Sequence, residues 1–348
     1  MNYLGGPSMT VLNVAMFGND DLAKEIAKAT DQRDVHTYVH KETQDGTAKI
    51  ISLIRPARYP ERLRPLLNAI SAGRVGIIEV NSIDATLGEV IVAFASSGIS
   101  KGIAVINPLD GGWIDKDMVE KMFTQAGLLS WKFMDADGLE IRNQLYVYMD
   151  EINSQLAESA EAPLVVSIDQ HFNVKGIGLV AIGYVQSGTL KVHDELHILP
   201  SKGNGSTKSL QVMDDDVQQA SSGDRVGIAL RNAKDDSLSN GSIIVKPALE
   251  DKKTNTNVPL SVVEQKISRL KLEISPFQKR ILSEGDVIHI SVDLQFVVGR
   301  VKSVEGTDFI VEWDSPIYIR RENPESAIIA QLDSKPRIIG SAQLQPEK

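Results

Sequence analysis

An α/β domain followed by two small β-barrels is the architecture predicted for this chain, on three observations. Through the first 160 residues, short apolar runs alternate with amphipathic stretches, as βαβ units around a largely parallel sheet require. After Pro163 the pattern changes to alternating β-branched residues punctuated by Gly176, Gly178, Gly183 and Gly188, and later by Gly223, Gly227 and Gly241, as the hairpins and bulges of a barrel require. A second β-rich block runs from Val258 to Leu344. The 348 residues leave room for two or three packed cores at the usual ~100–200 residues per domain. Domains are expected at 1–160, 161–252 and 253–348, with AESAEAP (Ala157–Pro163) and LEDKKTNTN (Leu249–Asn257) reading as polar linkers.

Within the first domain, Val11–Phe17 reads as a buried strand and Leu22–Ala29 as a helix. Ala48–Ile54 is a second strand before the helical pattern Pro60–Ser71, and Arg74–Val80 a third before Ala85–Ser97. Gly102–Ile106 is a fourth, followed by Lys116–Gln125. Leu139–Met149 and Ile152–Ala157 read as two closing helices. No short-period repeat or low-complexity tract interrupts the chain, which excludes solenoids.

Composition narrows the function classes. The absence of cysteine excludes disulfides, thiolate metal sites and thiol nucleophiles, and suits a reducing, cytoplasmic setting. The opening MNYLGGPSMT lacks the basic and apolar regions of a signal peptide, and no run approaches the ~18 apolar residues of a membrane span. The net charge of -9 argues against a basic coat for nucleic acid. Its distribution is uneven, because residues 1–160 carry 15 basic and 21 acidic side chains. The later barrels are therefore close to neutral.

The opening strand–loop–helix stands where a phosphate-binding loop, G-x-x-x-x-G-K-[ST], would aim backbone N–H groups at phosphate oxygens. The eight residues here are Gly18-Asn19-Asp20-Asp21-Leu22-Ala23-Lys24-Glu25. The first Gly and the Lys keep their spacing, but Ala23 and Glu25 replace the second Gly and the metal-holding Ser/Thr. Asp20, Asp21 and Glu25 add like charge near any polyphosphate. Taken alone, the segment also reads as an ordinary helix start. At the end of the second strand, where a nucleotide triphosphatase places an Asp that reaches Mg²⁺, the chain has Arg55-Pro56-Ala57-Arg58-Tyr59. At the end of the fourth strand, a base-reading Asn-Lys-x-Asp becomes Asn107-Pro108-Leu109-Asp110.

Three downstream blocks carry a resemblance. Residues 169–200 (DQHFNVKGIGLVAIGYVQSGTLKVHDELHILP), GDRVGIALR (Gly223–Arg231) and FQKRILSEGDVIHISVDLQFVVGRV (Phe277–Val301) are similar to the second and third domains of translation elongation factors of the Tu/SelB class. The four early glycines fall in place, while His193 stands where the family has a Gly before Asp194. The resemblance covers nearly the whole chain. It implies a degenerate P-loop GTPase-like α/β domain followed by two β-barrels, the three-domain architecture of elongation factor Tu.

The resemblance also implies aminoacyl-tRNA and the ribosome as partners of a cytoplasmic monomer, with no DNA and no membrane. Gly18, Lys24, Asn107 and Asp110 remain as residual positions for GTP, whereas hydrolysis is expected to be weak or lost, with no catalytic residue assigned and no metal expected. In SelB-like members an Asp-His pair and an Arg before a Gly line the selenocysteine pocket; the matching positions are Asp169-Gln170 and Asn240 before Gly241. Uncharged amides there imply a neutral, amide-bearing aminoacyl group, for example pyrrolysyl; alternatively, Gln170 and Asn240 are turn residues of a barrel that binds nothing. Arg58 and Arg62, within the cluster Arg55, Arg58, Arg62 and Arg64, are expected to meet RNA phosphates together with Arg231, or to form a solvated helix face. His193 and His197 read as surface histidines of a hairpin, and Trp113, Trp131 and Trp313 as core or rim. Two other functions stay open: a working GTPase with non-standard residues, and a ribosome- or factor-binding regulator that has lost nucleotide and tRNA.

Overall fold

A computed structural model of the protein describes residues 9–32, 35–44, 46–251, 256–258, 260–324 and 326–344. The chain divides into two compact units, residues 1–154 with 275–277, and residues 155–274 with 278–348.

The first unit is built on β1 (Met9–Phe17), α1 (Asp20–Ile26), β2 (Lys28–Gln32), β3 (Val35–Gln44), β4 (Thr47–Pro56), α2 (Arg64–Ala72), β5 (Val75–Val80), α3 (Ala85–Ser96), β6 (Gly102–Ile106), α4 (Lys116–Ala126), β7 (Lys132–Met134) and α5 (Gly138–Ala160). The sheet order is β2-β3-β4-β1-β5-β6-β7. Strands β4, β1, β5, β6 and β7 run parallel, while β3 and β2 add an antiparallel edge. All six residues of β5 are buried, as expected of a central parallel strand covered on both faces.

Two local expectations are corrected. The helix expected over Leu22–Ala29 stops at Ile26, and Lys28 begins β2. The β-branched and aromatic residues that follow, among them Thr30, Thr37 and Tyr38, fit a pleated surface better than a helix, and the Thr30 and Thr37 hydroxyls bond across the β2–β3 pair at 2.9 Å. The two closing helices are one, α5, because Asp150 and Glu151 do not break it. They take ion pairs instead, Lys49 Nζ lying 2.8 Å from Asp150 and Lys101 pairing with Glu151.

Trp131 sits in a slot made by two glycines. Gly76 and Gly102 are register partners on β5 and β6, and a Cβ on either would lie 2.4 Å from the indole. Phe94 and Phe123 close around the ring, with centroids 5.3 and 5.7 Å away. Trp113, by contrast, is 82% exposed on the loop after β6 and belongs to no core.

In the second unit the first barrel comprises β8 (Val165–Val174), β9 (Gly178–Ser187), β10 (Thr189–Lys191), β11 (Glu195–Leu199), β12 (Gly203–Val212), β13 (Asp215–Val217), β14 (Gln219–Ser221), β15 (Arg225–Arg231) and β16 (Ile243–Val245). Strands β11-β16-β8-β9-β15-β12 close through a β11–β12 pairing. Gly188 has φ +77°, and a Cβ there would meet the Leu164 backbone at 2.6 Å, so no other residue fits its turn. His193 adopts φ +72° at a position where the resemblance expects glycine.

The expected linker at Leu249–Asn257 has its ends paired as a hairpin, β17 (Leu249–Asp251) with β18 (Thr256–Val258); residues 252–255 lie outside the described residues. The second barrel closes in the order β19-β22-β21-β20-β23-β24, from β19 (Val262–Ile274), β20 (Val287–Val292), β21 (Gln295–Glu305), β22 (Asp308–Arg320), β23 (Ala327–Ala330) and β24 (Ile338–Leu344). Trp313 fills its centre and donates through Nε1 to Ser268 Oγ at 2.8 Å. The two barrels share an apolar seam in which Val165, Ile243 and Val245 of the first meet Val262 and Tyr318 of the second. Among the described residues no helix is long and apolar enough to cross a membrane.

Filling the tryptophan slot tests this packing. Gly102→Ala is expected to destabilise the first unit by about 1–3 kcal/mol through overpacking against Trp131, read as a lower urea midpoint by circular dichroism.

Candidate functional site

The chain leaves β1 through α1 for strands on one side of it, and returns through α2 to β5 on the other. The carboxyl ends of β1 and β5 therefore flank the crevice at which open α/β sheets bind their ligands. Gly18 and Asn19 stand at that edge. Asn19 caps α1, its side chain accepting from Leu22 N–H at 2.8 Å, and the helix begins at Asp20. Six of the eight residues aligned with the phosphate-loop template, Asp20 to Glu25, are thus helical. Of those eight residues only Gly18 and Asn19 lie outside the helix.

The crevice holds a side chain. Glu79, on β5, is 1% exposed, and its carboxylate accepts three hydrogen bonds: Asn19 N–H to Oε2 at 2.6 Å, Asn19 Nδ2 to Oε1 at 2.8 Å and Asn107 Nδ2 to Oε1 at 2.7 Å. A Cβ on Gly18 would lie 2.8 Å from Glu79 Oε2 and 2.9 Å from its Cβ. Asn107 is fixed in turn by its backbone N–H to Val80 O at 3.0 Å and by Asn81 Nδ2, which donates to Asn107 O at 2.7 Å.

Of the four residual nucleotide positions, Gly18 and Asn107 therefore converge on Glu79. Lys24 does not: it turns back one helical turn to pair with Asp20 and stays half exposed. Asp20 also accepts the Tyr38 hydroxyl from β3. The Lys24 hydrogen bond, helped by Tyr38, holds the Asp20 carboxyl below its ordinary range, and Asp20 raises Lys24 in return. Burial and then Asp20 raise the Tyr38 phenol, with Arg55 opposing them. Asp110 is exposed at φ +54° in a 3₁₀ turn (Leu109–Gly111) and takes no part in the Glu79 network among the described residues.

Beyond β4, Tyr59 donates its hydroxyl to Glu89 Oε1 at 2.9 Å and lies edge-on to Phe17, with centroids 5.8 Å apart. Arg58 and Arg62 are both exposed, joined by Arg62 N–H to Arg58 O at 2.8 Å, with Arg58 at φ +58°.

In the first barrel, a register shift of β8 against β9 between Ile168 and Gln170 marks a bulge. Asp169 and Gln170 are both buried there, Gln170 Nε2 approaching Asp169 Oδ2 at 3.4 Å. Gly241 N–H donates to Ile168 O, and Ile168 N–H to Ser242 O, each at 2.8 Å. These bonds bring Asn240, which is exposed, beside the bulge. Arg231 is exposed at the far end of β15, four residues beyond the Gly227 that faces Ile182 and Gln170 in register. It stands about 13 Å further along the strand. His197 Nδ1 lies 2.8 Å from Asn204 Oδ1 in the adjoining hairpin.

Glu79, Tyr38 and Glu89 are the residues that sequence reasoning missed. For Glu79 a signal existed, since it is the lone charge in the apolar run VGIIEV.

Residues 178–245 match the family model for elongation factor Tu domain 2. An uncharacterized protein of Methanocaldococcus jannaschii is 28% identical over 297 residues, covering 85% of this chain and 88% of that one. The selenocysteine-specific elongation factor of the same organism is 31% identical over 156 residues, 44% of this chain and 30% of that protein. Among solved structures, a bacterial selenocysteine-specific elongation factor superposes with a TM-score of 0.77 at 18% identity, over 98% of this chain and 59% of that one. The chain thus spans less than two thirds of each of these two selenocysteine-specific factors.

Within the matched segment, Asp224 Oδ2 accepts from Ser221 N–H at 2.8 Å, and burial pushes its carboxyl up to about 6. The native state then takes up a proton before the unfolded chain does, so this group's contribution to stability falls as pH rises from about 4 to about 6 and is flat above. Asp224→Asn keeps an acceptor for Ser221. It is expected to stabilise the protein at pH 7.5 by up to about 3 kcal/mol, with the gain shrinking toward pH 4, as measured by urea unfolding of both proteins across that range.

Proposed function

We propose that this chain is a SelB-like member of the elongation factor Tu superfamily, a cytoplasmic carrier that binds an aminoacylated tRNA for delivery to the ribosome without relying on GTP hydrolysis. The observation that carries the reading is the bulge at Asp169–Gln170, held beside Asn240 through Gly241 and Ser242. It sits in the barrel whose residues 178–245 match the family model, and its carboxylate and two amides are the groups that would meet an aminoacyl group. Those amides can exchange hydrogen bonds with a neutral, amide-bearing aminoacyl group such as pyrrolysyl, and they supply no cation for a selenolate. The exposed guanidiniums of Arg58, Arg62 and Arg231 are the candidates for RNA phosphates.

The nucleotide half of the reading follows from the phosphate loop. Phosphoryl transfer needs a metal ligand, a charged lysine aimed at the phosphates and a positioned water. Here the Ser/Thr position is Glu25, Lys24 faces Asp20, and the water-positioning place is Tyr59, bonded to Glu89. Hydrolysis is therefore expected to be weak or absent.

The test is protection of the aminoacyl ester from hydrolysis across a panel of charged tRNAs, with and without GTP. Saturable protection of one class of tRNA, unchanged by nucleotide, is the expected result; no protection of any charged tRNA favours a ribosome- or factor-binding regulator, and strictly GTP-dependent protection favours a working GTPase. Reversing charge at Arg58 and Arg62 together (to Glu) is expected to weaken protection at least ~10-fold and to flatten its dependence on salt.

A further inference from the structure

We propose that Glu79 is a built-in anion: its carboxylate fills the crevice at the ends of β1 and β5 that a nucleotide's phosphates would enter, and it holds the ends of β1, β5 and β6 in one arrangement with no ligand bound. The inference deepens the carrier reading above, giving the reason why the α/β domain would not respond to GTP.

A phosphate and an ionised carboxylate ask the same thing of a protein, namely N–H donors converging on oxygens that only accept. At this edge the Asn19 backbone N–H and the Asn19 and Asn107 side-chain amides all donate to Glu79. The space is occupied as well, because a single added carbon on Gly18 would lie 2.8 Å from Glu79 Oε2. Charge points the same way. Glu79 stands beside a helix whose first turn carries Asp20 and Asp21, and the one lysine of that helix is turned to Asp20. A polyphosphate would have to displace a buried carboxylate and then sit among acidic side chains without a free cation from α1.

The acceptor and its two donor residues come from three strand ends. Asn19 follows β1, Glu79 belongs to β5 and Asn107 follows β6, so one carboxylate ties three adjacent parallel strands at the edge where a nucleotide would otherwise do so. In this domain the bridging group is covalently part of the chain and cannot dissociate.

The experiment is amide hydrogen exchange of the full-length protein over residues 16–22, with Asn19 N–H as the reporter. In the wild type, exchange at Asn19 is expected to be unchanged by millimolar GTP or GDP with Mg²⁺. Glu79→Gln keeps the volume but presents one acceptor oxygen to three donors, and at least a tenfold faster exchange at Asn19 is expected. Glu79→Ala vacates the crevice, and formate is expected to restore slow exchange and a higher melting temperature, whereas chloride at equal ionic strength is not. The proposal is overturned if GTP or GDP slows exchange in the wild type, if Glu79→Gln exchanges as the wild type does, or if formate has no more effect than chloride on Glu79→Ala. Should Glu79→Ala not fold, the Gln variant and the nucleotide titration decide. None of these readouts involves tRNA, so failure of the clasp and failure of the carrier reading are told apart by the ester-protection assay.

Discussion

A carboxylate cut off from water has to be supplied with donors, and at Glu79 much of the first unit's local structure follows from that requirement. An ionised group buried without partners costs several kcal/mol, so the polypeptide around it is arranged to deliver N–H groups. Asn19 delivers two, which requires its backbone to turn directly out of β1. That turn makes Asn19 the cap of α1, and the cap starts the helix at Asp20. Starting there places Lys24 one turn beyond Asp20, within reach of its carboxylate, and Asp20 in turn collects the Tyr38 hydroxyl from β3. A single buried charge in β5 thus organises a path of polar contacts across to the antiparallel edge of the sheet.

The second unit solves its polar problems differently. The second barrel buries polar side chains that are paired within its own wall. Arg320 and Asp293 form a two-pronged ion pair at 3.0 and 3.1 Å, both nearly dry, and Gln295 bridges to Tyr318 through its backbone N–H and C=O. Burying two charges costs desolvation that such a pair must offset, so the pair is weak evidence for stability. His193 shows that the pattern can absorb a misfit: a non-glycine residue holds a left-handed turn, anchored by its own N–H to Thr207 O at 2.9 Å. The turn lies within the residues, 178–245, that match the family model.

Much of the architecture was legible because hydrophobic period and turn glycines are local signals. The third and fourth parallel strands and the helices after them were found nearly to the residue, and the change of pattern at Pro163 marked the first barrel. Missed elements had tertiary causes. Strands β2 and β3 are polar enough to read as loop, and they exist because β4 offers an edge over its full length. The helix α5 reads as two because Asp150 and Glu151 interrupt its apolar stripe, and only Lys49 and Lys101, distant in sequence, explain why they are tolerated. At the site, the motif comparison could see which residues of the phosphate-loop template are absent. It could not see the Glu79 network, because Glu79 lies some sixty residues from Asn19 and its partners are ordinary asparagines.

The three tryptophans have an optical consequence. Trp131 is enclosed by glycines and phenylalanines in the α/β sheet, Trp313 is enclosed in the second barrel, and Trp113 stands in solvent. With no other tryptophan in the chain, emission divides into two blue-shifted, shielded sources, one in each compact unit, and one red-shifted source open to a quencher such as acrylamide. The first barrel holds no tryptophan. Loss of order in the sheet or in the second barrel would expose one of the two shielded sources and move its share of the emission to the red, quenchable part of the spectrum, while events confined to residues 165–245 would leave no direct tryptophan signal.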